Sequence, residues 1–256
     1  MLSRPAKSRD LPSGPPLHLD VPGRALEVLG PFVLPERIAR MNLALDARTT
    51  YVAPVLEHLH DPHNIGACVR TMDALGLHEF HVIKQPPGPV IDDGRQNRMR
   101  LGRDITRGSE KWLDMHIYDD PATAYKALKA RGFRIAVTDI HGDRPAYTPL
   151  TVPLDQPLAV VFGNEHEGVT QLARDAADMR LMLPMHGFVE SLNVSVATAL
   201  IMGRLRERVD CEIAAEQRAL TAELRTATLD AWICGEVQNL RVVLRALATR
   251  AATPPD

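Results

Sequence analysis

The sequence predicts an α/β protein built on a mostly parallel sheet with helices covering both faces. Two observations predict it. From Tyr51 onward, short apolar runs alternate with stretches of helical periodicity, the strand–helix rhythm of a parallel sheet. The run "LAVVFG" has no polar alternation, as suits a strand buried on both sides.

Taken in order, residues 1–30 are rich in Pro and Gly and lack apolar periodicity, which reads as an irregular arm. Residues 31–50 hold a helix, "PERIARMNLALDAR". Ile38, Met41 and Leu45 are helically spaced there, and Pro35 suits a first turn. "YVAPVLEHL" reads as a strand, Ile65–Leu75 as a helix ended near Gly76, and "EFHVI" and "DMHIY" as strands. "PATAYKALKARG" is a helix with Gly132 at its C-terminal end. The strands "FRIAVTDI" and "LAVVFG", a short helix over Val169–Ala177 and the strand "MRLMLP" follow. A long helix over Ser191–Arg208 closes the α/β part, which spans 51–208. Residues 209–256 form a helical extension, with Leu220, Leu224, Leu229, Trp232, Ile233 and Leu240 helically spaced. Packing is the expected role of that stripe.

Composition narrows the functional classes. A 256-residue chain that is 45% hydrophobic sustains a globular core, and no run approaches the ~18 apolar residues of a membrane span. The first twenty residues lack the apolar segment of a secretory signal. Three separated cysteines, Cys68, Cys211 and Cys234, fit a reducing compartment, so a cytoplasmic location is expected. Net charge is −2 and the pI is near 6.6, so there is no global basic signature. Charge is local instead. "RQNRMRLGRDITRGSEKW" carries Arg95, Arg98, Arg100, Arg103, Arg107 and Lys111 against two acids. A solvated surface is the plainer reading of such a loop, and a hold on a phosphate backbone is the functional one.

Histidines crowd "EHLHDPHNIGACVRT", but the ligand spacing of a zinc site is absent and no CxxC occurs anywhere. No metal is expected. Cys68 shares an apolar face with Ile65, Val69 and Met72, the ordinary place for a small hydrophobe. Asn64 precedes the apolar-periodic run as a helix cap should, and Gly66, Arg70 and Asp73 form the opposite face. A helix start beside an open glycine and an arginine suits an anion. On this stretch alone, an ordinary capped helix explains as much.

Two more junctions matter. In "VVFGNEHEGVT" a strand ends at Gly163, placing Asn164 and Glu165 at the sheet's carboxyl edge, where α/β proteins bind ligands. Gly163 would admit close backbone approach to a ligand. In "LMLPMHGFVESLNVSVATALIMG" a strand stops at Pro184 and a helix begins, with Ser191 and Asn193 in its first turn. The chain has no G-x-G and no G-x-S-x-G, which excludes a Rossmann fingerprint, a P-loop and a nucleophile elbow.

Together "DPHNIGACVRTMDALGL", "VVFGNEHEGV" and "LMLPMHGFVESLNVSVATALI" resemble the three motifs of the SPOUT superfamily, and within it the TrmH (SpoU) family of RNA ribose 2′-O-methyltransferases. The match runs over Tyr51–Arg208. The resemblance implies a C-terminal trefoil knot, an S-adenosylmethionine pocket within it, and a homodimer. It implies RNA as substrate, with no DNA or membrane partner. By motif it assigns Asn64, Arg70, Glu165, Ser191 and Asn193 to catalysis. It assigns cofactor contacts near Thr138, Gly163, Leu183 and Leu192. Gly66 stands where the tRNA-modifying members commonly carry serine, as it does in rRNA-modifying members. The stretch before Tyr51 is too short for the N-terminal RNA-binding domain usual in the latter. The resemblance therefore favours tRNA over rRNA, with a D-loop guanosine as target. A non-catalytic RNA binder on the same fold is the competing class.

Overall fold

The computed structural model describes residues 23–59, 61–84, 108–139, 144–164 and 167–252. Five of the basic residues expected to meet RNA (Arg95, Arg98, Arg100, Arg103 and Arg107) lie outside them, as do Glu165, His60 and most of the arm. The described residues form two compact units. One holds the residues up to Met41 and those from Ala222, and the other spans Asn42–Thr221.

The larger unit is a seven-stranded sheet in which every pairing is parallel. Its strands are β1 (Val52–Glu57), β2 (Glu79–Ile83), β3 (Asp114–Tyr118), β4 (Arg134–Thr138), β5 (Ala146–Tyr147), β6 (Leu158–Phe162) and β7 (Met179–Leu181), in the order β3-β2-β1-β6-β4-β7-β5. Because side chains alternate across a strand, β1 and β6 feed two cores. Val52, Leu56, Leu158, Val160 and Phe162 join the core beneath helices α3 (Pro62–Ala74) and α6 (Val194–Glu212). Ala53, Val55, Ala159 and Val161 join the other, with Ala124, Tyr125 and Leu128 of α4 (Pro121–Ala130) and Ala173 of α5 (Gln171–Ala176). Helices thus cover both faces, as expected. Each fully buried Leu, Val or Phe contributes ~1.5–3 kcal/mol, so the central strands hold most of the stability.

Several boundaries differ from the sequence reading. β1 stops at Glu57 because His58 takes a left-handed conformation, φ 55°. β4 ends at Thr138, two residues before the expected Ile140. The two-residue edge strand β5 was not anticipated, being too short to show alternation. The cap of α3 is Asp61, whose side chain accepts from the His63 N–H, with Pro62 in the first turn. Asn64 is therefore inside the helix rather than at its cap. Gly66 is buried, since α6 packs over α3 and widens its covered face. The long helix starts at Val194, not Ser191, because Asn193 caps it, and it runs to Glu212. Short helix α7 (Ala215–Arg218) follows.

The smaller unit contains α1 (Ala25–Leu29), α8 (Ala222–Glu236) and α9 (Leu240–Ala252). Helix α2 (Pro35–Ala47) crosses the boundary between the units at Met41. Residues 25–29, expected within the irregular arm, are helical because they pack on α8. Ala25 and Leu29 are buried, and the Asp230 carboxylate accepts from the N–H groups of Gly23 and Ala25. Arg37 forks onto the Glu236 carboxylate at 3.1 and 3.3 Å. Among the described residues no helix is long and apolar enough to cross a membrane.

Candidate active site

The carboxyl ends of β4, β6 and β7 surround a cavity of about 380 Å³. Thr138, Gly163, Leu183 and Leu192, the four positions assigned to the cofactor, all line it, and Ser191 joins them. Phe162, Leu181 and Ile201 add apolar wall, while Asp139, Glu167 and Glu190 add acid.

The loop after β6 is tied at its base. Asn164 and Gly168 exchange backbone hydrogen bonds of 3.0 and 2.9 Å. A Cβ at Gly163 would overlap the backbone of Gly168 and Val169. The loop's own main chain therefore requires a glycine here. Buried Asn164 donates through Nδ2 to the His58 carbonyl at 3.0 Å, tying this loop to the turn after β1. Beneath it, the buried Glu57 carboxylate accepts from the Tyr125 hydroxyl (2.6 Å) and from the Thr170 hydroxyl and N–H (2.8 Å each). Thr170 caps α5, so one carboxylate sets where that helix begins. Burial, then the charge of Glu57, pushes the Tyr125 phenol far up, so it remains a donor.

Beside the cavity the starts of α3 and α6 meet. Asn193 Nδ2 donates to Asn64 Oδ1 at 3.1 Å. Asn193 Oδ1 accepts from the Ser195 N–H at 2.9 Å and its hydroxyl at 2.6 Å, which fixes the orientation of the amide. Asn193 lies in sequence between the cavity residues Leu192 and Val194, which puts the asparagine pair next to the cavity-lining segment. Arg70 is exposed on α3 and pairs with no acid among the described residues. The neighbouring Asp73 is held by Arg48 at 2.7 Å. Cys68 is fully buried, 3.6 Å from the Thr198 hydroxyl. Lys111 lies 4.4 Å over the Trp112 ring. Among the described residues no three His, Cys, Asp or Glu side chains are grouped to hold a metal.

The sequence reading missed three features of the site. The Asn164–His58 tie and the Glu57 carboxylate join distant parts of the chain and leave no local trace. Asp139 was hidden because "FRIAVTDI" reads as uninterrupted strand.

A parallel sheet with a mixed polar and apolar cavity at its carboxyl edge, beside the start of α6, is the arrangement of an α/β protein with a ligand site at the strand ends. The chain belongs to the SpoU rRNA Methylase family, whose profile matches residues 52–203. It is 32% identical over 186 residues to the tRNA (guanosine(18)-2′-O)-methyltransferase of Borreliella burgdorferi, covering 73% of this chain and 80% of that one. The protein of the same name from Thermus thermophilus is 33% identical over 199 residues, 77% of this chain and 95% of that one. Among solved structures, the A. aeolicus TrmH/SpoU tRNA modifying enzyme matches with a TM-score of 0.66 at 27% identity, over 80% of this chain and 98% of that one. AviRb from Streptomyces viridochromogenes, solved with the cofactor AdoMet, matches at 0.51 and 25% identity, over 65% and 64%.

Proposed function

We propose that this protein transfers a methyl group from S-adenosylmethionine to a ribose 2′-hydroxyl of RNA, and that the target is a guanosine in the tRNA D-loop. One observation carries the chemistry: all four positions assigned to the cofactor line a single cavity, and its lining residues Leu192 and Val194 flank Asn193, which pairs with Asn64. The choice of tRNA rests on relatives named as tRNA guanosine methyltransferases, one of them matched over 95% of its length.

The residues present fit the cofactor. The cavity lies within the usual range for small ligands, ~300–1,000 Å³. Apolar walls with three acids suit a ligand bearing an aromatic base and cationic groups. Bound there, S-adenosylmethionine supplies an electrophilic methyl on a sulfonium, which leaves positioning and proton removal to the protein. Arg70 holds the phosphate next to the target ribose and orients the hydroxyl. A guanidinium offers donors and no acceptor, so that phosphate or a neighbouring group takes the proton. Asn64 and Asn193 hold the ribose, Glu165 supports Arg70, and Ser191 fixes the loop. RNA backbone contacts come from the segment of Arg95, Arg98, Arg100, Arg103, Arg107 and Lys111.

The same reading makes 51–208 the methyltransferase domain, carries a trefoil knot in its C-terminal part, and places the protein in the cytoplasm as a homodimer. Phe188, Val189, Val196 and Leu200, exposed on the last loop and on α6, support a dimer face there.

The test is the Arg70→Ala variant, assayed with labelled S-adenosylmethionine and an unmodified tRNA transcript. Transfer is lost while S-adenosylhomocysteine still binds. Turnover retained at the wild-type rate overturns the role of Arg70. A wild-type protein that binds cofactor and RNA without transfer is the non-catalytic binder.

A further inference from the structure

Strand β1 ends on an acid, Glu57, that is 0% exposed and whose hydrogen-bond partners among the described residues are all neutral. Burying a carboxylate costs free energy that an apolar side chain at the same place would not. Three donors compensate for it. The hydroxyls of Tyr125 and Thr170 reach Oε1 at 2.6 and 2.8 Å, and the Thr170 N–H reaches Oε2 at 2.8 Å. Bonds to a charged acceptor are about twice as strong as neutral ones, so Thr170 is fixed by side chain and main chain together. Its oxygen also accepts from the Ala173 N–H at 3.1 Å, which commits its one proton to Glu57.

The next residue in the chain holds the other end of the same loop. The His58 carbonyl accepts from Asn164 Nδ2 at 3.0 Å. Two consecutive residues, 57 and 58, thus grip the loop after β6 near its start and at its end. Between the two grips lie cavity-lining residues: Asn164, Glu167, Gly168 and Val169 all contribute to the wall, as does Gly163 just before them. Glu57 and Thr170 are not part of that wall. The main chain that shapes the cavity is therefore set by a group outside its lining. Without the carboxylate, two hydroxyls and one N–H lose their acceptor in a dry interior, a cost the loop relieves only by shifting.

We propose that Glu57 is a positioning residue for the adenosyl cofactor: acting through Thr170, it holds the wall of the cavity after β6 in place, so that its loss weakens cofactor binding in protein that remains folded. This rests on the cofactor reading above and goes further by placing a determinant of affinity outside the cavity.

Calorimetry on the intact protein tests it without any turnover. S-adenosylhomocysteine is titrated into wild type, Glu57→Ala, Thr170→Val and the double variant, each well below its own melting temperature. A purely structural acid would lower the melting temperature of Glu57→Ala and leave the Kd of the folded protein at its wild-type value. The expected result is a Kd raised about tenfold, within the range by which residues without ligand contact alter affinity. Thr170→Val is expected to raise it in the same direction. The double variant is expected to fall short of the product of the two effects, because both singles break one contact. A wild-type Kd in folded Glu57→Ala overturns the proposal, and so do single effects that multiply in full. Should Glu57→Ala fail to fold, Thr170→Val decides alone, and a wild-type Kd there overturns the proposal equally. A wild type that binds no S-adenosylhomocysteine overturns the cofactor reading and this proposal with it, whereas unchanged binding in the variants overturns this proposal only.

Discussion

At the scale of single residues, Asn193 carries two jobs in one amide. Its oxygen caps α6 through Ser195, and its nitrogen reaches Asn64. Asn193→Ala is expected to lower stability by about 1 kcal/mol, the usual cost of a lost cap, read from urea unfolding. Asn64 lies inside α3 and is not its cap, so Asn64→Ala is expected to shift the unfolding midpoint less than Asn193→Ala does. Both variants are expected to slow methyl transfer by about a hundredfold through misplacement of the ribose. A normal rate in either would remove the pair from the site. Both asparagines were legible as polar residues at strand-to-helix junctions. Their contact was not, because 129 residues separate them and local pattern carries no record of pairing. The cap of α3 was legible but assigned three residues late. Asp61 followed by Pro62 is the stronger start signal.

At the scale of elements, β3 joins the sheet through a titrating network. His116 on β3 hydrogen-bonds Asp114 and Glu79, which together raise it to about 9. Burial alone would raise the Glu79 carboxyl of β2, but the close His116 and His81 rings and two hydrogen bonds from Arg131 hold it far below the usual carboxylate range. His81 stacks on the His116 ring at 4.8 Å. A raised histidine stabilises the fold fully below its unfolded value of ~6.5 and loses that contribution as pH climbs through about 9. The depressed carboxyl acts oppositely, stabilising above its unfolded value and losing that as pH falls through its folded one. Unfolding free energy is therefore expected to decline from pH ~6.5 to about 9, and His116→Gln to flatten that limb. A wild-type slope that persists in the variant would contradict this. The strands themselves were legible wherever alternation or a long apolar run existed. β5 was not, at two residues, and α1 was not, because its five residues owe their helix to α8 and Asp230 rather than to their own pattern.

At the scale of the whole molecule, a net charge of −2 supplies no overall attraction for RNA, so on the proposed reading affinity comes from the local basic segment. Affinity is therefore expected to fall with salt as only a few phosphate contacts would require, which a binding titration at several salt concentrations reads directly. The parallel sheet and the cavity's location at its carboxyl edge were legible from the βα rhythm and the polar strand ends. The grouping of the N-terminal helix with the C-terminal pair was not, since nothing local couples residues so far apart. The central claim is methylation of a tRNA guanosine at its ribose. Incubation with S-adenosylmethionine and unmodified tRNA or rRNA transcripts, followed by nucleoside mass spectrometry, tests it most directly. The account predicts 2′-O-methylguanosine in the tRNA. Methylation of rRNA alone would contradict the substrate, and bound cofactor with neither RNA modified would contradict the activity.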